Sequence, residues 1–289
     1  MELITDYMRD DASRHMLNAL TQKTFGFDFE HWVTNGYFEG DYIPYSFVQD
    51  CEIIANVSAN RMQFMENGVT KNYIQLGTVM TDERFRKQGL GARLMKHVLS
   101  EYEGACDGIY LFGNLGALGF YEKLGFQTMN EYRYFVKKEC LASEKAEERF
   151  LPIGEMGPEI KEKYMKMVRN GAVQSSFEQV NKFGLQMFYT CWFDNVYYAK
   201  DIDCFVVLDF DERAALQSVI CEKKVPLKEV LRRLDSAELQ LGYTPAAEDR
   251  ELCVSEKYDG ADDYRLFYRG EALRAIEREQ LYFPELSHA

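Results

Sequence analysis

The chain has 289 residues, 46% hydrophobic and 28% charged, a globular composition long enough for one large domain or two of ordinary size. A formal net charge of −13 excludes a general nucleic-acid binder, which concentrates Lys and Arg against phosphate, and an acidic field favours cationic partners. Seven cysteines with no C-x-x-C pair, no signal-peptide core and no run of about 20 apolar residues point to reduced thiols in a soluble cytoplasmic protein, without a zinc site.

In chain order, Asp10 or Asp11 caps a first helix in which Met16, Leu17 and Leu20 recur at helical spacing. A second, short helix starts at Asp28 and stops near Asn35-Gly36. The period then changes: Tyr45–Val48 and Ile53–Phe64 read as strands, and Glu66-Asn67-Gly68 as a hairpin turn into a strand at Tyr73–Met80. Leu90, Leu94, Val98 and Tyr102 share one helical face. Ile109–Phe112 is a buried strand, a helix runs through Leu124 to Gly125, and Tyr132–Val136 is a further strand. Helices and a meander of strands in this order give an α/β class with a mixed sheet.

Between strand and helix lies Arg86-Lys87-Gln88-Gly89-Leu90-Gly91. Glycines let the backbone approach a ligand, and the first N–H groups of a helix lack internal acceptors and favour an anion such as a pyrophosphate. Gly-Lys-Ser/Thr is absent, so this is no Walker loop, and the third glycine of a Rossmann fingerprint is absent too.

LGTVMTDERFRKQGLGARLM followed by IYLFGNLGALGFYEKLGF resembles the GNAT superfamily of N-acetyltransferases, through its R-x-x-G-x-G/A motif and its N-x-x-A-x-x-φ-Y-E-K-x-G-F motif. The resemblance covers roughly residues 1–137. It implies acetyl-CoA as co-substrate, with the backbone of Val79, Met80 and Thr81 along the pantetheine arm. It further implies that Arg86 and Lys87 add positive charge, that the amides of Gln88, Gly89, Leu90, Gly91 and Ala92 hold the pyrophosphate, and that Asn114 contacts the cofactor. Tyr121 would stand near the sulfur as general acid. No metal is implied. The acidic residue that many members carry on the strand before the loop is Gln75 here, which cannot take a proton. Asp28, Glu30 or a water chain are the substitutes, and stabilising a helix start is the competing role for both carboxylates. His15, His31, His97 and His288 are scattered, with His31 beside Trp32 nearest the expected acceptor groove.

The charged segment KKECLASEKAEER separates a unit at 1–140, through a connector at 141–149, from a second at 150–289. In the second unit Val196–Ala199, Phe205–Asp209, Leu239–Tyr243 and Arg265–Tyr268 read as strands, and Leu227, Val230, Leu231 and Leu234 as a helix after Pro226. No glycine occurs from residue 185 to 241. The segment faintly resembles the later half of a GNAT domain and is expected as a degenerate second copy shaping the acceptor side, with an unrelated α+β domain as the alternative. The expected activity is direct acetyl transfer to a primary amine of a small molecule or peptide, without nucleic acid or membrane, and compatible with a homodimer. A non-catalytic acyl-CoA-binding protein and an O-acyltransferase are the competing readings.

Overall fold

The computed structural model describes every residue except Ser143, Asp211 and Glu212. Its first elements are β1 (Glu2–Thr5), α1 (Asp11–Phe25), α2 (Glu30–Thr34), β2 (Tyr42–Gln49), β3 (Glu52–Glu66), β4 (Val69–Thr81) and α3 (Leu90–Tyr102). Next come β5 (Gly108–Asn114), α4 (Leu118–Lys123), β6 (Gln127–Met129), β7 (Glu131–Val136) and α5 (Lys138–Leu141). The remainder is β8 (Leu151–Pro152), α6 (Pro158–Asn170), β9 (Ser175–Gln179), α7 (Phe183–Thr190), β10 (Val196–Ala199), β11 (Cys204–Asp209) and β12 (Ala215–Cys221). It closes with α8 (Leu227–Leu231), β13 (Gln240–Leu241), β14 (Thr244–Pro245), β15 (Cys253–Tyr258), β16 (Tyr264–Arg269) and α9 (Ala275–Arg278).

Local chemistry accounts for the boundaries that matter. The Asp10 carboxylate accepts the Ser13 N–H at 2.8 Å and caps α1. Asn67 and Gly68, at φ 47° and 86°, make the two-residue turn between β3 and β4. On α3 the buried residues Leu90, Leu94, Met95, Val98 and Leu99 form the stripe that packs on β2–β5.

Two mixed sheets result, and they exchange strands. The first runs β1-β2-β3-β4-β5-β16-β6, with β9 added to β3 and β14 to β9. The second runs β15-β7-β13-β12-β11-β10-β8. Strand β16, late in the chain, thus sits between β5 and β6, with Leu266 and Phe267 fully buried. The strand at Tyr132–Val136 enters the second sheet instead, where Tyr134 and Val136 join the core around Leu216 and Leu241. Alternation identifies a segment as a strand, but the partner is chosen by tertiary burial.

One expectation is corrected. Cys204 and Cys221 are directly opposite in the β11–β12 register, with Cα atoms 4.7 Å apart, and form a disulfide. A sequence separation of 17 hid a pairing that only the hairpin creates. Among the described residues, no helix is long and apolar enough to cross a membrane.

Candidate active site

Strands β4 and β5 pair in parallel through Tyr73–Gly108, Ile74–Ile109 and Gln75–Tyr110, and there the pairing stops. Both strands continue, β4 to Thr81 and β5 to Asn114. A wedge-shaped opening therefore separates them. Its cause lies on the other edge of β4, which stays paired with β3 but shifts register between Ser58–Gly77 and Asn56–Met80. The extra residue is accommodated at Thr78, whose φ is 43°. Such a bulge bends its strand and here turns β4 away from β5.

A chain of buried polar side chains fixes the bulge. Asn56 Nδ2 donates to the Thr78 carbonyl at 2.9 Å, and Thr78 Oγ1 meets Ser58 Oγ at 2.8 Å and the Tyr42 hydroxyl at 2.7 Å. Ser46 Oγ donates to Asn56 Oδ1 at 2.7 Å and meets the Tyr7 hydroxyl at 2.5 Å. Ser46, Asn56 and Ser58 are fully buried, so their hydrogen bonds are obligatory. Nothing local in the sequence announces this network.

At the far end of β4, Lys87 and Gly89 adopt φ 64° and 76°, turning the exposed loop 86–89 into α3. The first helical bond is from Arg93 N–H to the Gly89 carbonyl at 3.0 Å. The N–H groups of Leu90, Gly91 and Ala92 ahead of it have no acceptor within the helix. A Cβ on Gly91 would lie 3.6 Å from Thr81 Oγ1 and 3.9 Å from the Phe120 ring, so helix start, strand end and α4 converge here. Arg86 Nε donates to the Thr81 carbonyl at 3.3 Å. Val79 and Thr81 are half-buried, Met80 is buried, and Asn114 is the exposed last residue of β5.

Tyr121 lies on the α4 side of this opening, buried against Phe267 at 4.9 Å and Phe120 at 5.1 Å between ring centroids. It packs over the bare Cα of Gly113 in β5, where a Cβ would come within 2.6 Å of the ring. Burial pushes its hydroxyl up to about 12, which keeps it protonated at neutral pH and able to donate.

The expected bases are placed elsewhere. Glu30 receives Arg14 at 3.0 and 2.9 Å and Asn18 at 3.1 Å, ties that join α2 to α1 and hold its carboxyl below the usual range. An acid so engaged is a poor proton acceptor. Asp28 is exposed and accepts the Glu30 N–H at 2.9 Å, a helix-start role. His31 stacks on exposed Trp192 at 3.9 Å.

The segment that does reach the opening is 281–289. Phe283 N–H bonds the Glu131 carboxylate at 3.0 Å, and Tyr282 N–H bonds Thr244 Oγ1 at 2.7 Å. Glu131 is fully buried, and burial pushes it up to about 8. The Tyr189 hydroxyl donates to the His288 carbonyl at 2.5 Å. His288 then stacks on Phe112 of β5 at 3.9 Å, and the backbone of Ala289 lies against Gly77 of β4, its oxygen occupying the space that a Cβ there would need. Beside Gly77, a small cleft is lined by Trp32, Asp41, Tyr42 and Asn60.

Residues 4–126 match the acetyltransferase (GNAT) family. This part of the chain is a GNAT domain. The structures similar to the chain extend the likeness beyond that domain to both sheets. A GCN5-related N-acetyltransferase from Kribbella flavida shares 15% identity at a TM-score of 0.56, over 95% of this chain and 72% of that one. Eis1 from Mycobacterium abscessus shares 11% identity at a TM-score of 0.57, over 95% and 75%. A probable N-acyltransferase from Enterococcus faecalis V583 shares 14% at 0.53, over 94% and 73%. At these identities the likeness is one of fold, and it runs through the second sheet as a tandem arrangement of GNAT-like halves requires. No curated protein matches the sequence.

Proposed function

We propose that the chain is an N-acetyltransferase moving an acetyl group from acetyl-CoA directly to a primary amine of a small molecule or peptide. The observation that carries this reading is the β4–β5 opening, bounded at one end by the free amides of α3 and on one side by Tyr121. A thin thioester arm suits a slot between two strands, where the unpaired edge of Val79, Met80 and Thr81 can bond it as a strand would. The amides of Gln88, Gly89, Leu90, Gly91 and Ala92, with Arg86 and Lys87, suit the pyrophosphate, and Asn114 lies across from them on β5. A backbone N–H at the end of β4 polarises the carbonyl, and Tyr121 protonates the leaving sulfur. Residues 1–140 carry the cofactor in this reading, joined through 141–149 to residues 150–289, which complete the acceptor side. Asp41 in the cleft beside Gly77 supports a cationic acceptor.

Calorimetric titration with acetyl-CoA, followed by thiol release against a panel of primary amines, tests the proposal. Binding and amine-dependent thiol release are expected. Absence of binding overturns it, and binding without release from any amine replaces it with a non-catalytic acyl-CoA-binding role.

A further inference from the structure

Buried polar atoms without a hydrogen-bond partner are rare and call for an explanation. Three residues carrying them gather on one face of the β4–β5 opening: Gln75, with both atoms of its side-chain amide, Tyr110 through its hydroxyl, and His288 through Nε2. Gln75 and Tyr110 are the last register pair before the strands part. Tyr110 stacks on Phe283 at 4.2 Å, and Phe112, two residues further along β5, carries the His288 ring. The His288 ring lies by the Phe283 backbone, and its Nε2 is left without a partner.

Resting on the acetyl-transfer reading above, we propose that His288 is the general base that deprotonates the acceptor amine. It answers the loss of an acidic side chain on β4: Gln75 and Gly77 leave that strand without a base, and the final segment brings an imidazole to the same face from the opposite wall of the opening. Nε2 takes one proton from the ammonium R–NH3+. The freed lone pair forms the C–N bond at the thioester carbon, and the C–S pair departs on sulfur. Sulfur takes the Tyr121 proton, Tyr121 recovers a proton from the nitrogen of the intermediate, and His288 returns its proton to water. Gln75 and Tyr110 are placed to orient the amine or the water between it and Nε2.

The groups facing His288 are Glu285 on its own segment, Arg133 of β7, Tyr264 of β16 and Tyr189 of α7. Burial outweighs the pull of Glu285 and lowers the imidazole below its ordinary value, so it stands neutral at pH 7.

The test is the pH profile of kcat/KM for thiol release with the best primary amine of the panel, in wild type and in His288→Gln, with acetyl-CoA affinity measured alongside. Wild type is expected to lose rate at acid pH with one protonation below the ordinary imidazole value. His288→Gln is expected to lose about 100- to 10,000-fold, the span of general acid–base catalysis, and to lose that acid limb while binding acetyl-CoA normally. Imidazole added to His288→Gly is expected to restore part of the rate. A wild-type profile without the limb overturns the assignment even where the variants fold poorly, and so does a Gln variant that keeps rate and limb. Loss of acetyl-CoA binding or of all turnover in wild type strikes the acetyl-transfer reading instead.

Discussion

Both halves of the molecule contain the same joint: two parallel strands that begin paired and then part. In the first half β4 and β5 separate after Gln75–Tyr110, and in the second β12 and β13 separate after Leu216–Leu241. The continuations differ. After β4 comes an exposed glycine-bearing loop and a 13-residue helix. After β12 comes Glu222-Lys223-Lys224-Val225-Pro226 and a helix of five residues, and the final segment crosses beside the parted strands. Glu285 N–H bonds the Gly242 carbonyl at 2.9 Å, Pro284, Leu286 and Ser287 line a small cavity together with Gln217 and Ser218, and Gln217 Oε1 occupies the space that a Cβ on Gly242 would need. A parted strand pair is therefore only a vacancy. Free amides at the start of a long helix make it a candidate site, while ties such as Glu285 to Gly242 make it a seam.

The comparison is broken most directly at the glycine loop. Gly91→Glu sets a carboxylate against the proposed pyrophosphate, and calorimetry is expected to show acetyl-CoA affinity falling on the order of a hundredfold or more. Lys223→Glu, after β12, is expected to change nothing, and the intact chain to bind one coenzyme A. Two sites per chain would make the second opening functional.

Next in size is Tyr121→Phe, which keeps the ring and is expected to lower kcat roughly ten- to a thousandfold with cofactor affinity unchanged. Gly113→Ala pushes a methyl group into the same ring and is expected to reproduce the loss. Wild-type turnover in the Phe variant would reduce Tyr121 to packing.

Gly77→Ala and Gly242→Ala sharpen the contrast between the two openings. The first drives a methyl group into the Ala289 backbone, so the acceptor KM is expected to rise as the final segment shifts. The second meets the end of the Gln217 side chain and is expected to cost about 1–3 kcal/mol in a denaturation curve with KM unchanged. Equal KM effects would show that the two seams are equivalent.

The smallest effect expected is on pH. Glu131 is raised to about 8 in the folded chain, so its neutral form is the favoured one there. The associated stability is complete below the ordinary carboxylate value and drains away as pH climbs towards 8. Glu131→Gln keeps an oxygen for the Phe283 N–H and is expected to raise Tm by a few degrees at pH 8 relative to wild type, with little gain at pH 5. An equal shift at both would place the ionisation elsewhere.

Legibility in the sequence tracks the range of the forces involved. The hairpin at Asn67-Gly68, the stripe of α3 and the glycine loop are set by residues within a turn or two of each other, and each is legible as spacing. Gly113 under Tyr121, the bulge at Thr78 and the approach of His288 are not. The tie that anchors the final segment, Glu131 to Phe283, spans 152 residues, and alternation carries no address for such a partner. Asp28 and Glu30 pass for bases because exposed carboxylates near a groove look alike in sequence; the buried Arg14 that claims Glu30 is seen only when α1 and α2 pack.

The place of β16 has a consequence for synthesis. Among the described strands, β6 joins the first sheet through β16 alone, and 135 residues separate Met129 from Tyr264 (264 − 129). At about 5–20 residues per second, roughly 7 to 27 seconds pass between their appearances on the ribosome. Throughout that interval β5 presents an open edge, with the aromatic face of Tyr110 and Phe112 uncovered, to whatever strand arrives first. Severing the chain near Lys145 makes the interval permanent, so residues 1–140 alone are expected to collect in the insoluble fraction unless residues 150–289 are supplied in the same cell.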